Sequence, residues 1–226
     1  MKIDNLKKRL ITSILLIFLL YFSFNYSFIL IISLILISVI SWIEFQGLIS
    51  KIFVKKSFKS NLLKKIIIGL SLLYFIMFSS IVFSGISQDE LKFIILFLIT
   101  VCICSDVGGL LFGKTFKGKK LTKISPNKTI SGSIGSFIFS LLTIPVFYFL
   151  LLGKSIDVNE MIILAVLVSL FCQVGDLFIS FLKRKANVKD TSDLLPGHGG
   201  ILDRVDGIIF ALPFGIILWD FLINFV

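Results

Sequence analysis

The chain has 226 residues, 57% hydrophobic and 16% charged, with mean hydropathy +1.04 and formal net charge +10. A soluble domain of this size keeps a polar shell, so the balance excludes an ordinary globular protein and indicates a helical membrane protein. The positive charge does not imply nucleic acid, because the basic residues flank apolar runs, where topology and anionic lipid explain them.

Seven spans are predicted, at about 10–26, 27–50, 66–86, 93–113, 131–152, 160–183 and 207–226, each near bilayer length. Met1 to Arg9 resembles the start of a signal peptide. No small-residue cleavage site follows, so the first apolar run reads as an uncleaved span. Four Lys and Arg precede the first span, six lie in 51–65, six in 114–128 and five in 183–204. The remaining loops hold only Lys92 and Lys154. The positive-inside rule therefore predicts a cytoplasmic N-terminus and an external C-terminus. Cys102, Cys104 and Cys172 lie in apolar segments and read as small buried residues rather than metal ligands.

Three acids fall inside spans toward a predicted cytoplasmic end. Glu44, Asp106 and Asp176 each lie seven or eight residues before a predicted cytoplasmic end, roughly 10–12 Å deep at the helical rise. Each would cost roughly 2.5–3.5 kcal/mol facing lipid. Their matching depth predicts one polar cavity open to the cytoplasm. Asp220, near the outer end of the last span, is given no role. Gln173, Asp176, Ser180 and Lys183 recur at helical spacing, so the sixth span carries a polar stripe.

Two loops carry chemistry. In 114–130, six lysines alternate with glycines, and Ser125-Pro126-Asn127-Lys128-Thr129 leads into the fifth span. Ser and Thr at a helix start beside a lysine make a phosphate cradle, while most of the other lysines suit topology and headgroups. At the end of the sixth span and in 184–206, Lys183, Arg184, Lys185 and Lys189 supply charge, and Gly197, Gly199 and Gly200 let backbone approach a ligand. Asp203 and Asp206 share a helical face, and with Asp176 they form a candidate carboxylate set for Mg²⁺. His198 reads as a phosphate-orienting or loop-locking residue. A phosphate monoester, with its second pKa near 6, needs no strong base to act as a nucleophile.

The run S-F-L-K-R-K-A-N-V-K-D-T-S-D-L-L-P-G-H-G-G-I-L-D-R-V-D, Ser180 to Asp206, resembles the signature of phosphatidate cytidylyltransferases. The stretch S-D-V-G-G-L-L-F-G-K-T-F-K-G-K-K-L-T-K-I-S-P-N-K-T, Ser105 to Thr129, is similar to that family's second block, and Q-V-G-D-L, from Gln173, adds to the match. Ser131 stands where the family usually has an acid, and Leu110 lies near a usual aromatic.

The resemblance implies an enzyme joining CTP and phosphatidic acid into CDP-diacylglycerol and pyrophosphate, with Mg²⁺ alone or beside a second, monovalent cation. It also implies a homodimer. Ser180, Lys183, Arg184, Lys189, Asp190, His198 and Arg204 become candidate catalytic residues. Asp106, Ser125, Lys128, Thr129, Gly197, Gly199 and Gly200 become candidate substrate contacts, and Asp176, Asp203 and Asp206 candidate metal ligands. The expected fold is all-α, a polytopic bundle of about seven transmembrane helices without a soluble domain. Residues 1–104 would be a lipid-facing scaffold and 105–226 the catalytic region, in the inner membrane with its site facing the cytoplasm. Another CTP-dependent lipid kinase or cytidylyltransferase would share the nucleotide and metal parts. An anion transporter fits the intramembrane charges but not the lack of an internal repeat.

Overall fold

The computed structural model describes residues 2–53, 58–122, 125, 128–149, 157–195 and 199–225. Eight helices follow in order among them: α1 (Lys2–Asn25), α2 (Ser27–Ile52), α3 (Phe58–Ile86), α4 (Asp89–Phe116), α5 (Ile130–Leu141), α6 (Thr143–Phe147), α7 (Val158–Lys185) and α8 (Leu202–Phe225). Large apolar side chains such as Ile35, Leu73 and Ile217 are exposed while serines are buried, as hydrocarbon rather than water demands. The protein is a polytopic helical membrane protein.

Six described stretches are long and apolar enough to cross a bilayer, and the apolar part of α1, Ile14–Asn25, is shorter. The predicted break between the first two spans falls at Tyr26, where the chain is extended. Most helices run past the predicted apolar limits, because a helix needs no apolar residues beyond the hydrocarbon. The fifth predicted span is not one helix. Pro145 lacks an amide hydrogen, and its ring crowds the carbonyl four residues back, where α5 ends at Leu141.

Backbone contacts divide the chain into two compact units, Met1–Ser87 with Leu182–Val205, and Gln88–Phe181 with Asp206–Val226, so the division falls within α7 and α8. In the first unit, Ser38, Ser41 and Glu44 recur every three residues along α2 and are buried. Polar contacts hold its helices together: Ser38 Oγ lies 2.6 Å from Ser79 Oγ on α3, and Ser33 Oγ 3.0 Å from Ser23 Oγ on α1. Such pairs serve where lipid supplies no hydrophobic drive between helices.

The second unit is built on a close crossing of α4 and α5. A Cβ at Gly109 would lie 2.7 Å from Ser136 Oγ, and one at Gly132 would lie 2.8 Å from the Gly109 carbonyl oxygen. Only glycines allow backbones so near. Along α7, Ser169 Oγ lies 2.9 Å from Ser105 Oγ of α4, both fully buried. The crossing brings the loop before α5 beside α4 and α7, where the first chemical cluster forms.

Candidate active site

The loop between α4 and α5 turns at Lys117 and Gly118, both with positive φ, and runs back along its own exit. Leu121 N donates to Lys128 O at 2.8 Å and Ile130 N to Lys119 O at 2.9 Å. That pairing fixes Lys128 immediately before the helix. Thr129 caps α5, its hydroxyl accepting from Gly132 N at 3.1 Å, so the chain enters the helix in a defined direction.

A cavity of about 600 Å³ opens beside this loop. Its polar walls include Asp106, Ser125, Lys128, Thr129, Gln173, Asp176 and Ser180. Lys128 and Asp176 form an ion pair, with side chains 25% and 31% exposed. Ser180 donates to Asp176 Oδ1 at 3.3 Å, one helical turn along α7. Ser133 donates to Gln173 Oε1 at 2.5 Å and ties α5 to α7. Thus Gln173, Asp176 and Ser180 of the predicted stripe line one cavity. A phosphate entering it meets a lysine and a capped helix start.

The other predicted ligands occupy defined places. Asp206 opens the second unit's part of α8, and its backbone carbonyl packs on Gly175, the residue before Asp176. Its Oδ1 accepts from Gly207 N at 3.0 Å. Asp203 belongs to the first unit. Within neither unit do three His, Cys, Asp or Glu side chains converge as a metal cluster among the described residues. The donor chemistry of the cavity still fits Mg²⁺. Two carboxylates, Asp106 and Asp176, and the Ser180 hydroxyl are hard oxygen donors, and Mg²⁺ takes one or two carboxylates while substrate phosphates and water complete its shell.

In the first unit, α7 ends in a paired turn: Val188 N donates to Lys183 O at 3.0 Å and Asn187 N to Arg184 O at 3.1 Å, with Asn187 at φ 55°. The chain beyond is held by two carboxylates. Asp203 Oδ1 takes Lys183 Nζ at 2.7 Å, and its Oδ2 takes Thr191 N at 2.8 Å and Gly200 N at 3.0 Å. The Asp203 side chain is 3% exposed. Thr191 Oγ1 lies 2.9 Å from Asp203 Oδ2 and 2.8 Å from Glu44 Oε2, so its single proton serves one carboxylate at a time. Leu195 and Gly199 exchange both backbone hydrogen bonds. Gly199 sits at φ +81°, where a side chain would be strained and a Cβ would come 3.0 Å from Asp203 Oδ2.

Glu44, expected from its depth to face a polar site, is an acceptor for residues 191–202 of its own unit. Of the remaining candidates, Arg184, Lys189, Asp190 and Arg204 are exposed, and Gly200 is buried beside Thr191 and Glu44. Gly197 and His198 lie outside the described residues. Sequence reasoning did not single out Thr191, Ser192, Ser133 or the α4–α5 glycine crossing. The repeated spacing of Gly109, Gly113, Gly132 and Gly135 was the available signal for the last.

Residues 1–222 match the Cytidylyltransferase family. The chain belongs to that family. Among curated members named phosphatidate cytidylyltransferase, the Staphylococcus aureus protein (strain COL) is 45% identical over 123 residues, 53% of this chain and 46% of that one. The Staphylococcus saprophyticus protein is 42% identical over 120 residues, 53% of this chain and 46% of the relative. The Bacillus subtilis protein is 37% identical over 154 residues, 67% of this chain and 54% of the relative. The chain spans about half the length of the curated relatives it matches.

Proposed function

We propose that the chain is a CTP:phosphatidate cytidylyltransferase of the inner membrane, working from the cytoplasmic face to which the basic loops point. The observation that carries it is the cavity among apolar helices where Lys128 and Asp176 pair. Membership of the Cytidylyltransferase family and the names of its relatives supply the reaction class. A lipid phosphate arrives from the bilayer and a nucleoside triphosphate from water, so their meeting place must be polar and close to the membrane surface.

The phosphatidate phosphate attacks the α-phosphorus of CTP in line, a new phosphorus–oxygen bond forms, and pyrophosphate leaves with the electrons of the broken bond. The attacking group is largely deprotonated at neutral pH, so the protein supplies position and charge rather than a base. Lys128 releases Asp176 and neutralises phosphate oxygens. The hydroxyls of Ser125 and Thr129 and the start of α5 orient them. Lys183, Arg184, Lys189 and Arg204 hold positive charge in the signature, and Asp190 and His198 are its remaining polar members. Asp176 and Asp106 would hold Mg²⁺ in the cavity, with Asp206 and Asp203 as the further carboxylates expected from the signature. When bound, the ion withdraws charge from the reacting phosphates.

Purified protein in detergent with CTP, phosphatidic acid and Mg²⁺ is expected to form CDP-diacylglycerol and to stop when either substrate or the metal is withheld. Product formed with diacylglycerol in place of phosphatidic acid would contradict the proposal.

A further inference from the structure

The proposed reaction leaves Glu44 without a role, although it is 6% exposed in the interior of the first unit. Each carboxylate oxygen accepts one hydroxyl and one backbone amide. Oε1 takes Ser192 Oγ at 2.6 Å and Ile201 N at 3.1 Å; Oε2 takes Thr191 Oγ1 at 2.8 Å and Leu202 N at 2.8 Å. The two amides belong to the start of α8, whose first N–H groups have no partner within the helix and favour negative charge. The two hydroxyls belong to the irregular segment between α7 and α8.

The described residues of that segment have little regular structure to hold them. Their conformation comes from the turn after α7, the Leu195–Gly199 pairing and the two carboxylates. Glu44 and Asp203 meet at the Thr191 hydroxyl, so displacing one disturbs the other. We propose that Glu44 is a positioning residue, acting from α2 to fix the form of the signature segment that carries Asp203 and Lys183. This rests on the proposed cytidylyltransferase activity. It gives the N-terminal half of the chain a direct bearing on the signature.

Glu44→Gln tests it. An amide has one acceptor oxygen, so whichever way it turns, a hydroxyl and a backbone amide face an NH₂ group. A hydroxyl can turn to accept from the NH₂ but a backbone amide cannot. The expected result is therefore a fall in kcat of about 10- to 100-fold, the size of leaving one buried donor unpaired, with KM for CTP and phosphatidic acid within about twofold. Glu44→Asp, which keeps the charge on a shorter arm, should fall between the two. Ser192→Ala alone should cost a few-fold, and added to Glu44→Gln it should cost almost nothing more, because both remove one clamp.

Hydrogen exchange in residues 188–202 of Glu44→Gln should quicken while α3 exchanges as before. Unchanged exchange, a kcat within about twofold of the unaltered protein, or fully additive losses would each overturn the proposal. An unaltered protein that makes no product would sink the cytidylyltransferase reading itself, and the exchange measurement would then still decide whether Glu44 clamps the segment.

Discussion

Asp176→Asn is expected to lower CDP-diacylglycerol formation by about 100-fold or more, while the protein inserts, purifies and melts like the unaltered chain. The Lys128–Asp176 pair is partly exposed, with side chains 25% and 31% accessible, so solvent screens it and it adds little to stability. Asparagine keeps the shape and can still accept from Ser180. What it loses is the charge that the proposed reaction assigns to holding Mg²⁺. Activity and melting should therefore part company. Exchanging the two residues, Lys128→Asp with Asp176→Lys, separates structure from function. A purely structural pair would be restored by the exchange; here activity should stay lost, because each charge has its own ligand in the reaction. Near-normal turnover in either variant would contradict the role given to this cavity.

Asp203→Asn is expected to behave differently, losing activity by about 100-fold and stability as well. Asp203 and Lys183 are 3% and 13% exposed at the side chain. Removing one member of a buried pair leaves the other charge uncompensated, at a cost of about 3–5 kcal/mol. The amide must also present its NH₂ either to Lys183 or to the amides of Thr191 and Gly200. A lower melting temperature in detergent, measured beside the rate, checks both parts. A variant that melts normally but is inactive would show that Asp203 serves the chemistry without holding the loop.

Much of this was legible in the sequence because membrane folding is one-dimensional at first. Apolar length predicted most of the spans, and the 27-residue run from Ser180 to Asp206 carried the family resemblance. The polar stripe of Gln173, Asp176 and Ser180 follows from helical spacing alone, and the structure lines one cavity with it. The break after Leu141 was also written in the chain, at Pro145, but apolar length concealed it. Other features needed the third dimension. Glu44 finds its partners 147 to 158 positions away, and no local pattern announces such a contact. The same holds for Lys183 and Asp203, whose pairing depends on how the segment between α7 and α8 folds back. Asp203 accepts three nitrogen donors, whereas Asp176 lines a cavity and pairs with Lys128.

The position of the label transferred from CTP tests nucleotidyl transfer most directly. With phosphatidic acid and Mg²⁺, label on the α-phosphorus should pass into the lipid fraction, and label on the γ-phosphorus should leave as pyrophosphate. Recovery of γ-label in the lipid would mean phosphoryl transfer by a kinase, and would contradict the cytidylyltransferase proposed here.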